Sequence, residues 1–205
     1  MISLGEKLFP NTYGKSVSRI SLDIELKRQL KKLKPGVVLD VGSRYSPYKK
    51  YIPSVKYLTL DIDKEGRPDI CCDLHKIEWQ SDYFDTVVAT EVLEHLYDPQ
   101  KAINEIFRIL KSGGICISST RFIYPYHPGP KDYYRFTWDS LKYLFREFSA
   151  VEVYHHGNRI QALWQIISDC GKIGAPFRNI LNPIIGKIHF KETNYPCGFV
   201  VYAKK

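Results

Sequence analysis

Two stretches decide the fold: Val37-Val38-Leu39-Asp40-Val41-Gly42 and Tyr57-Leu58-Thr59-Leu60-Asp61. Each is built on a short apolar run with a carboxylate at or near its end, and Asp61 follows Asp40 by 21 positions. A buried strand, a glycine turn, a helix and a second strand ending in an acid is how an open α/β sheet holds a ribose. Gly42 lets backbone approach a ligand closely. A carboxylate at Asp61 accepts two hydrogen bonds from a ribose diol, each worth about 1.5–3 kcal/mol when the acceptor is charged. A nicotinamide dinucleotide would call for Gly-x-Gly-x-x-Gly after the first strand, and no such pair follows Gly42.

Working outward, residues 18–33 carry Ile20, Leu22, Ile24, Leu26, Leu30 and Leu33 among charges, the pattern of an amphipathic helix, and Pro35-Gly36 stops it. Residues 64–68 form a turn, and residues 69–72 form a short third strand ending before Asp73. Residues 84–89 are a fourth strand. Asp98-Pro99 caps and starts a helix whose buried stripe is Ala102, Ile103, Ile106, Phe107, Ile109 and Leu110; Lys111-Ser112-Gly113-Gly114 ends it. Residues 115–119 make a fifth strand, Thr137 caps a helix over 138–148, and residues 151–154 and 198–203 are the sixth and seventh strands. The alternation indicates an α/β, Rossmann-like, mostly parallel seven-stranded sheet with helices on both faces.

The 205 residues fit one domain spanning 1–205. The stretch 158–195 breaks the rhythm and reads as one helix followed by irregular pieces, a lid or interface insert. Its apolar residues, with Lys172, Arg178 and Lys187 nearby, suit packing on the domain itself, a homodimer surface or peripheral membrane contact. No run of about 18 apolar residues predicts a spanning helix, and residues 1–7 lack a signal-peptide core, so a cytoplasmic location is expected. The five cysteines, Cys71, Cys72, Cys116, Cys170 and Cys197, are odd in number and lack metal-type pair spacing. They read as small thiols in a reducing compartment, and no metal is expected. The net charge of +8 is partly concentrated in Lys27, Arg28, Lys31, Lys32 and Lys34, which read first as a solvated helix face and second as a surface for an acidic partner.

Further polar positions fall at strand ends. Asp73 is placed to accept from an adenine amino group, with Leu74 packing on the ring, and Thr90-Glu91 follows the fourth strand. With Asp61 they outline ribose, adenine and an amino-acid tail.

The chain resembles the class I S-adenosylmethionine-dependent methyltransferases, in particular the small single-domain type that includes ubiquinone and sterol methylases. The residues that carry the resemblance are Phe84-Asp85-Thr86-Val87-Val88-Ala89-Thr90-Glu91-Val92-Leu93-Glu94-His95-Leu96, Ile106-Phe107-Arg108-Ile109-Leu110-Lys111-Ser112-Gly113-Gly114 and Asp73-Leu74, within a span of 37–148. It implies S-adenosyl-L-methionine as cofactor and an antiparallel last strand. The cofactor-binding set is Asp40, Val41, Gly42, Ser43, Asp61, Ile62, Cys72, Asp73, Leu74, Thr90, Glu91 and Val92, with Asp40 orienting the loop. The family's loop reads Gly-x-Gly-x-Gly, whereas this chain has Gly42-Ser43-Arg44-Tyr45-Ser46, so the second and third glycines are replaced.

The acceptor side lies in Tyr124-Pro125-Tyr126-His127-Pro128-Gly129-Pro130-Lys131-Asp132-Tyr133-Tyr134-Arg135-Phe136-Thr137, a loop after the fifth strand and so at the same crevice mouth. His127 and His95 are the candidate bases for an oxygen nucleophile. Tyr126, Asp132, Tyr133, Tyr134 and Arg135 are the candidate substrate contacts, with an Asp132–Arg135 pair and tyrosines packed over the core as the plainer reading. The wording of this loop is similar to a branch of small methyltransferases that accompany polysaccharide biosynthesis, which implies a small-molecule or glycan acceptor. An RNA substrate ranks lower: the charge favours it, but no separate RNA-binding module is visible and no Asn-Pro-Pro-Tyr or Asp-Pro-Pro-Tyr motif follows the fourth strand. A non-catalytic scaffold, with Arg44 filling the methionine pocket, is the third reading.

Overall fold

The computed structural model describes residues 7–169, 174–191 and 193–205. Cys170 and Lys172, read above as a thiol and a basic flank, lie outside the described residues. Seven strands form one sheet: β1 (Gly36–Val41), β2 (Ser54–Asp61), β3 (Ile70–Cys71), β4 (Phe84–Thr90), β5 (Leu110–Arg121), β6 (Ala150–His156) and β7 (Gly198–Lys204). Their order is β3-β2-β1-β4-β5-β7-β6. Neighbours from β3 to β5 are parallel, while β7 lies antiparallel between β5 and β6. After β1 the chain moves outward to β2 and β3 and returns on the other side of β1 with β4. This reversal opens a crevice at the carboxyl ends of β1 and β4, where ligands lie in such sheets.

Alternation along the central strands builds two apolar layers. Leu39 and Val87 join Leu60, Phe84, Ile106 and Phe199 on one face. Val38 and Val88 join Leu22, Leu26, Leu30, Ile117 and Val200 on the other. Such burial on both faces is why the strands read as near-continuous apolar runs.

Helix α1 (Val17–Leu30) starts at Ser16, whose side chain accepts from the Arg19 amide. Ile24, counted in its apolar stripe, faces solvent at 53% exposure, whereas Ser18, Ser21, Asp23, Glu25 and Gln29 are buried. The helix is covered on a second side, which a single-stripe reading does not foresee. The cover is a pair of helices, α4 (Arg159–Asp169) and α5 (Ala175–Ile185), so the reading of 158–195 as one helix plus irregular pieces is corrected. Gly174 and a proline in the first turn, taken for breakers, start α5, where a missing amide hydrogen costs nothing. Asn182 Nδ2 donates to the Lys15 carbonyl at 2.9 Å and Trp164 Nε1 to Asn182 Oδ1 at 2.8 Å, fixing the pair to the start of α1.

Helix α2 (Pro99–Ile109) has the expected Asp98 cap, which accepts from the Lys101 amide at 3.1 Å. It runs straight into β5, so residues 110–114 are strand rather than helix end and turn. The register shift between β4 and β5 absorbs the glycines there. Helix α3 (Trp138–Leu144) starts with a reciprocal Thr137–Ser140 box and ends four residues before the expected Phe148. No helix among the described residues is long and apolar enough to cross a membrane. Among the described residues the cysteines are free; burial pushes the Cys116 and Cys197 thiols up to about 12.

Candidate active site

A cleft of about 480 Å³ opens at the switch point, lined by Gly42, Arg44, Asp61, Glu91, Val92 and His95 among others. That size suits a small-molecule site, which spans about 300–1,000 Å³. A Cβ on Gly42 would lie 2.5 Å from Val92 Cγ2, and the residue has φ +62°, so glycine is required both for space and for backbone. Arg44 and Ser46 also have positive φ, 24° and 42°. The loop therefore keeps left-handed conformations at positions 42, 44 and 46, although only the first is glycine. The Gly42 amide donates to the Leu60 carbonyl at 2.8 Å, and the Arg44 amide to Asp61 Oδ2 at 3.3 Å. Asp40 is buried and accepts from Tyr57 Oη at 2.6 Å, which ties β1 to β2 beneath the loop. Burial raises the Asp40 pKa despite this bond and one from Ser46. The Arg44 guanidinium lies over the exposed Tyr45 ring, 5.4 Å from its centroid. Val41 and Ser43 are buried in the loop base.

Asp61 is half-buried, and its Oδ1 accepts from the Asp63 amide at 3.0 Å. Each carboxylate oxygen thus holds one backbone amide and keeps a lone pair for a ligand. Ile62 stands 65% exposed beside it, an apolar surface for a ring. Asp63 caps the next turn by accepting from Glu65. Cys71 is the register partner of Asp61, so Cys72-Asp73-Leu74 begins next to the ribose position. Asp73 and Leu74 do not line the same cleft. Asp73 Oδ1 accepts from the His75 amide at 2.9 Å and contacts the His75 ring; burial raises its pKa, but these contacts win and leave it lowered. Leu74 is buried, and burial raises the pKa of half-buried Cys72.

At the end of β4, Thr90 and Val92 are half-buried and Glu91 adopts φ +57°. The Glu91 amide donates to the Ser119 carbonyl at 2.9 Å. Its carboxylate takes Arg121 Nη2 at 2.7 Å and Arg19 Nη2 at 2.8 Å. Neither arginine was singled out in the sequence. One lies on α1 and the other at the end of β5, and no local pattern links them to Glu91.

The segment after β5 forms a strap. Tyr133 N donates to the Glu94 carbonyl at 2.8 Å, pinning the strap over the end of β4. Asp132 has a side chain only 1% exposed and receives Arg135 Nη2 at 2.7 Å and the His127 amide at 3.0 Å. The paired Arg135 guanidinium and this amide hold the Asp132 carboxyl far below its usual range. Arg135 Nη2 also donates to the Pro125 carbonyl at 3.0 Å. Asp132 and Arg135 thus shape the strap by pairing with each other. Tyr126 and Tyr133 leave their rings to solvent, and Tyr134 Oη donates to the Tyr97 carbonyl at 3.1 Å.

His95 and His127 are brought together, with ring centroids 5.1 Å apart. His95 Nδ1 contacts the Lys131 carbonyl, which fixes the proton on that nitrogen and leaves Nε2 as the acceptor. His127 Nδ1 lies 3.1 Å from Asp132 Oδ2 but outside hydrogen-bonding alignment. Burial lowers the His127 pKa; Asp132 opposes this, and His95, Arg121 and Arg135 add to it.

The cleft size, the spare lone pairs on Asp61 and the exposed Ile62 fit an adenosine-bearing cofactor. Residues 39–118 match the family model described as a methyltransferase domain. No curated protein sequence matches the chain. Among solved structures it is similar to a SAM-dependent methyltransferase from Archaeoglobus fulgidus, with TM-score 0.59, 16% identity and coverage of 97% of this chain and 99% of that one. A SAM-dependent methyltransferase from Thermotoga maritima, a possible histamine N-methyltransferase, aligns with TM-score 0.60 and 15% identity over 98% of this chain and 94% of that one. The Haemonchus contortus phosphoethanolamine N-methyltransferase 2, in complex with phosphomonomethylethanolamine and S-adenosylhomocysteine, aligns with TM-score 0.55 and 17% identity over 97% of this chain and 55% of that one. The methyltransferase-domain match over residues 39–118 and a fold shared with SAM-dependent methyltransferases together support a class I S-adenosylmethionine-dependent methyltransferase, with S-adenosylmethionine as the cofactor.

Proposed function

We propose that the protein methylates a hydroxyl oxygen on a glycan-type or other small polar acceptor. The observation that carries this reading is a pair of imidazoles, His95 lining the cleft and His127 on the strap beside it, with ring centroids 5.1 Å apart. The bound cofactor supplies an electrophilic methyl group on a sulfonium. Asp61 holds the ribose diol, the loop over 42–46 lets backbone close on the cofactor, and the exposed Ile62 offers an apolar surface to the adenine ring. Alignment of this kind is worth up to about 7–11 kcal/mol of barrier. The acceptor hydroxyl must lose its proton as the new bond forms. His127, held largely neutral by its lowered pKa, is the group that takes it. His95, with Nδ1 engaged, offers Nε2 to orient the same hydroxyl. Tyr126, Tyr133 and Tyr134 present rings at the strap surface against which a sugar face can pack, while Asp132 and Arg135 hold that surface in place.

The test is transfer of labelled methyl from S-adenosylmethionine to a panel of nucleotide sugars, oligosaccharides, small amines and short RNAs. A sugar product, and a turnover loss of about 10²–10⁴-fold in His127→Ala with S-adenosylhomocysteine affinity unchanged, is the expected result. Undiminished turnover in that variant removes His127 from the chemistry. Methylated RNA together with steeply salt-dependent RNA binding would replace the acceptor class, a reading favoured only by the net charge of +8.

A further inference from the structure

Glu94, His95 and His127 each offer a ligand atom, and the three atoms lie within 4.8 Å of one another. Donors bound at about 2.0–2.2 Å to one ion sit up to about 4.3 Å apart, so small side-chain rotations suffice to bring these three onto a common centre. Glu94 is fully buried, at 0% exposure. Its Oε2 accepts from Thr120 Oγ1 at 3.0 Å, but its Oε1 has no hydrogen-bond partner. A buried carboxylate oxygen left unpaired is costly and calls for a proton or a cation. His127 Nδ1 is likewise buried without a hydrogen-bond partner. The Lys131 carbonyl on His95 Nδ1 is the outer contact that commonly orients a metal-bound imidazole.

Arg121 and Arg135 stand near enough to disfavour charge on His127, but each is held by a carboxylate. Arg121 is paired with Glu91 and Arg135 with Asp132. Glu91 adds negative potential near Glu94. His95 lines the cleft, so the cluster faces the place where an acceptor enters. Two imidazoles and one carboxylate suit zinc, manganese, iron or cobalt better than magnesium or calcium, which prefer all-oxygen sets.

We propose that Glu94, His95 and His127 bind one divalent first-row transition-metal ion, leaving a coordination position open toward the cleft. This deepens the transfer reading, on which its catalytic use rests: a hydroxyl at the open position is acidified by the ion. With the ion bound the imidazoles are ligands and the acidified hydroxyl would pass its proton to solvent water, whereas direct transfer to His127 belongs to the ion-free site.

The experiment is a titration of the metal-stripped full chain with Co²⁺, followed by visible absorption and by thermal melting, without cofactor or acceptor. We expect a visible band that saturates at one equivalent, is displaced by Zn²⁺, and accompanies a rise in melting temperature. His127→Ala and His95→Ala should each weaken Co²⁺ binding about 10–100-fold, whereas His189→Ala, outside the cluster, should bind as the parent does. Glu94→Gln should weaken Co²⁺ binding as the two histidine variants do, provided circular dichroism shows it folded; the histidine variants carry the test if it is not. Absence of a band saturating at one equivalent, or parental Co²⁺ binding by both His127→Ala and His95→Ala, overturns the proposal. Such a failure leaves the transfer reading standing, whereas intact Co²⁺ binding with no methyl transfer to any hydroxyl would refute the transfer reading alone.

Discussion

Substitution of Asp61 offers the sharpest test of how the cleft holds its cofactor. Oδ1 accepts the Asp63 amide at 3.0 Å and Oδ2 the Arg44 amide at 3.3 Å, which leaves one lone pair on each oxygen for the ribose diol. Two hydrogen bonds to a charged acceptor are together worth about 3–6 kcal/mol. Asp61→Ala loses both and also releases the Arg44 amide that shapes the loop. Taking the lower figure, binding of S-adenosylhomocysteine should weaken about 100-fold or more. Asp61→Asn keeps one neutral acceptor, but its amide nitrogen must face a backbone N–H that it cannot satisfy. Its loss should be intermediate, about 10-fold. Isothermal titration calorimetry measures both, and urea unfolding of each variant shows whether the chain stays folded. Because Asp61 is only half-buried, stability should change far less than affinity. If folded Asp61→Ala binds within about threefold of the parent, the carboxylate does not hold the diol and the ribose assignment is wrong.

Arg44 holds φ 24°, a region that costs an L residue about 1–2 kcal/mol, while glycine adds about 0.5–1 kcal/mol of backbone entropy to be lost. Arg44→Gly should therefore be neutral to about 1 kcal/mol stabilising in urea unfolding; a destabilised variant would show that the guanidinium on Tyr45 holds the loop. His156 is buried with its Nδ1 3.1 Å from Ser21 Oγ, and burial, with Arg121, Arg19 and His155, holds its pKa well below 6.5. The unfolded chain takes up this proton first, so the contribution is fully present above about pH 6.5. It is lost as pH falls, by up to about 1.4 kcal/mol per unit until the folded value is reached. His156→Gln should flatten that part of the stability profile between pH 7.5 and 5, and an unchanged slope in urea unfolding would show that His156 is not its source.

Features written in adjacent residues were legible in the sequence. The strands around Asp40 and Asp61, the Asp98-Pro99 start and the Thr137 cap each depend on a few neighbours and stand where expected. Boundaries failed where tertiary pairing overrides local punctuation: residues 110–114 look like a helix end but are drawn into strand by β4. Helix α5 was missed because glycine and proline start helices as well as stop them. The placement of Asp61 and His95 at the cleft, and of His127 beside His95, was legible from strand ends and loop order. The clamp on Glu91 was not, because Arg19 and Arg121 reach it only through the arrangement of α1 and β5 around β4. Nor was the retained shape of the loop, since Arg44 and Ser46 carry no sign of positive φ.

The placement of β7 between β5 and β6 bears on synthesis. Arg121 pairs in register with Gly198 and Ile115 with Lys204, so the side of β5 turned away from β4 has no strand until residues 198–204 have been made. On the ribosome this flank of β5 is an open edge able to recruit any extended chain. Thr120 and Arg121, which reach Glu94 and Glu91, lie along it. Closure of the sheet is therefore a late, long-range event, slow in the manner of non-local strand pairing. Until that strand pairs, Thr120 and Arg121 lack the register partners Phe199 and Gly198 beneath the crevice.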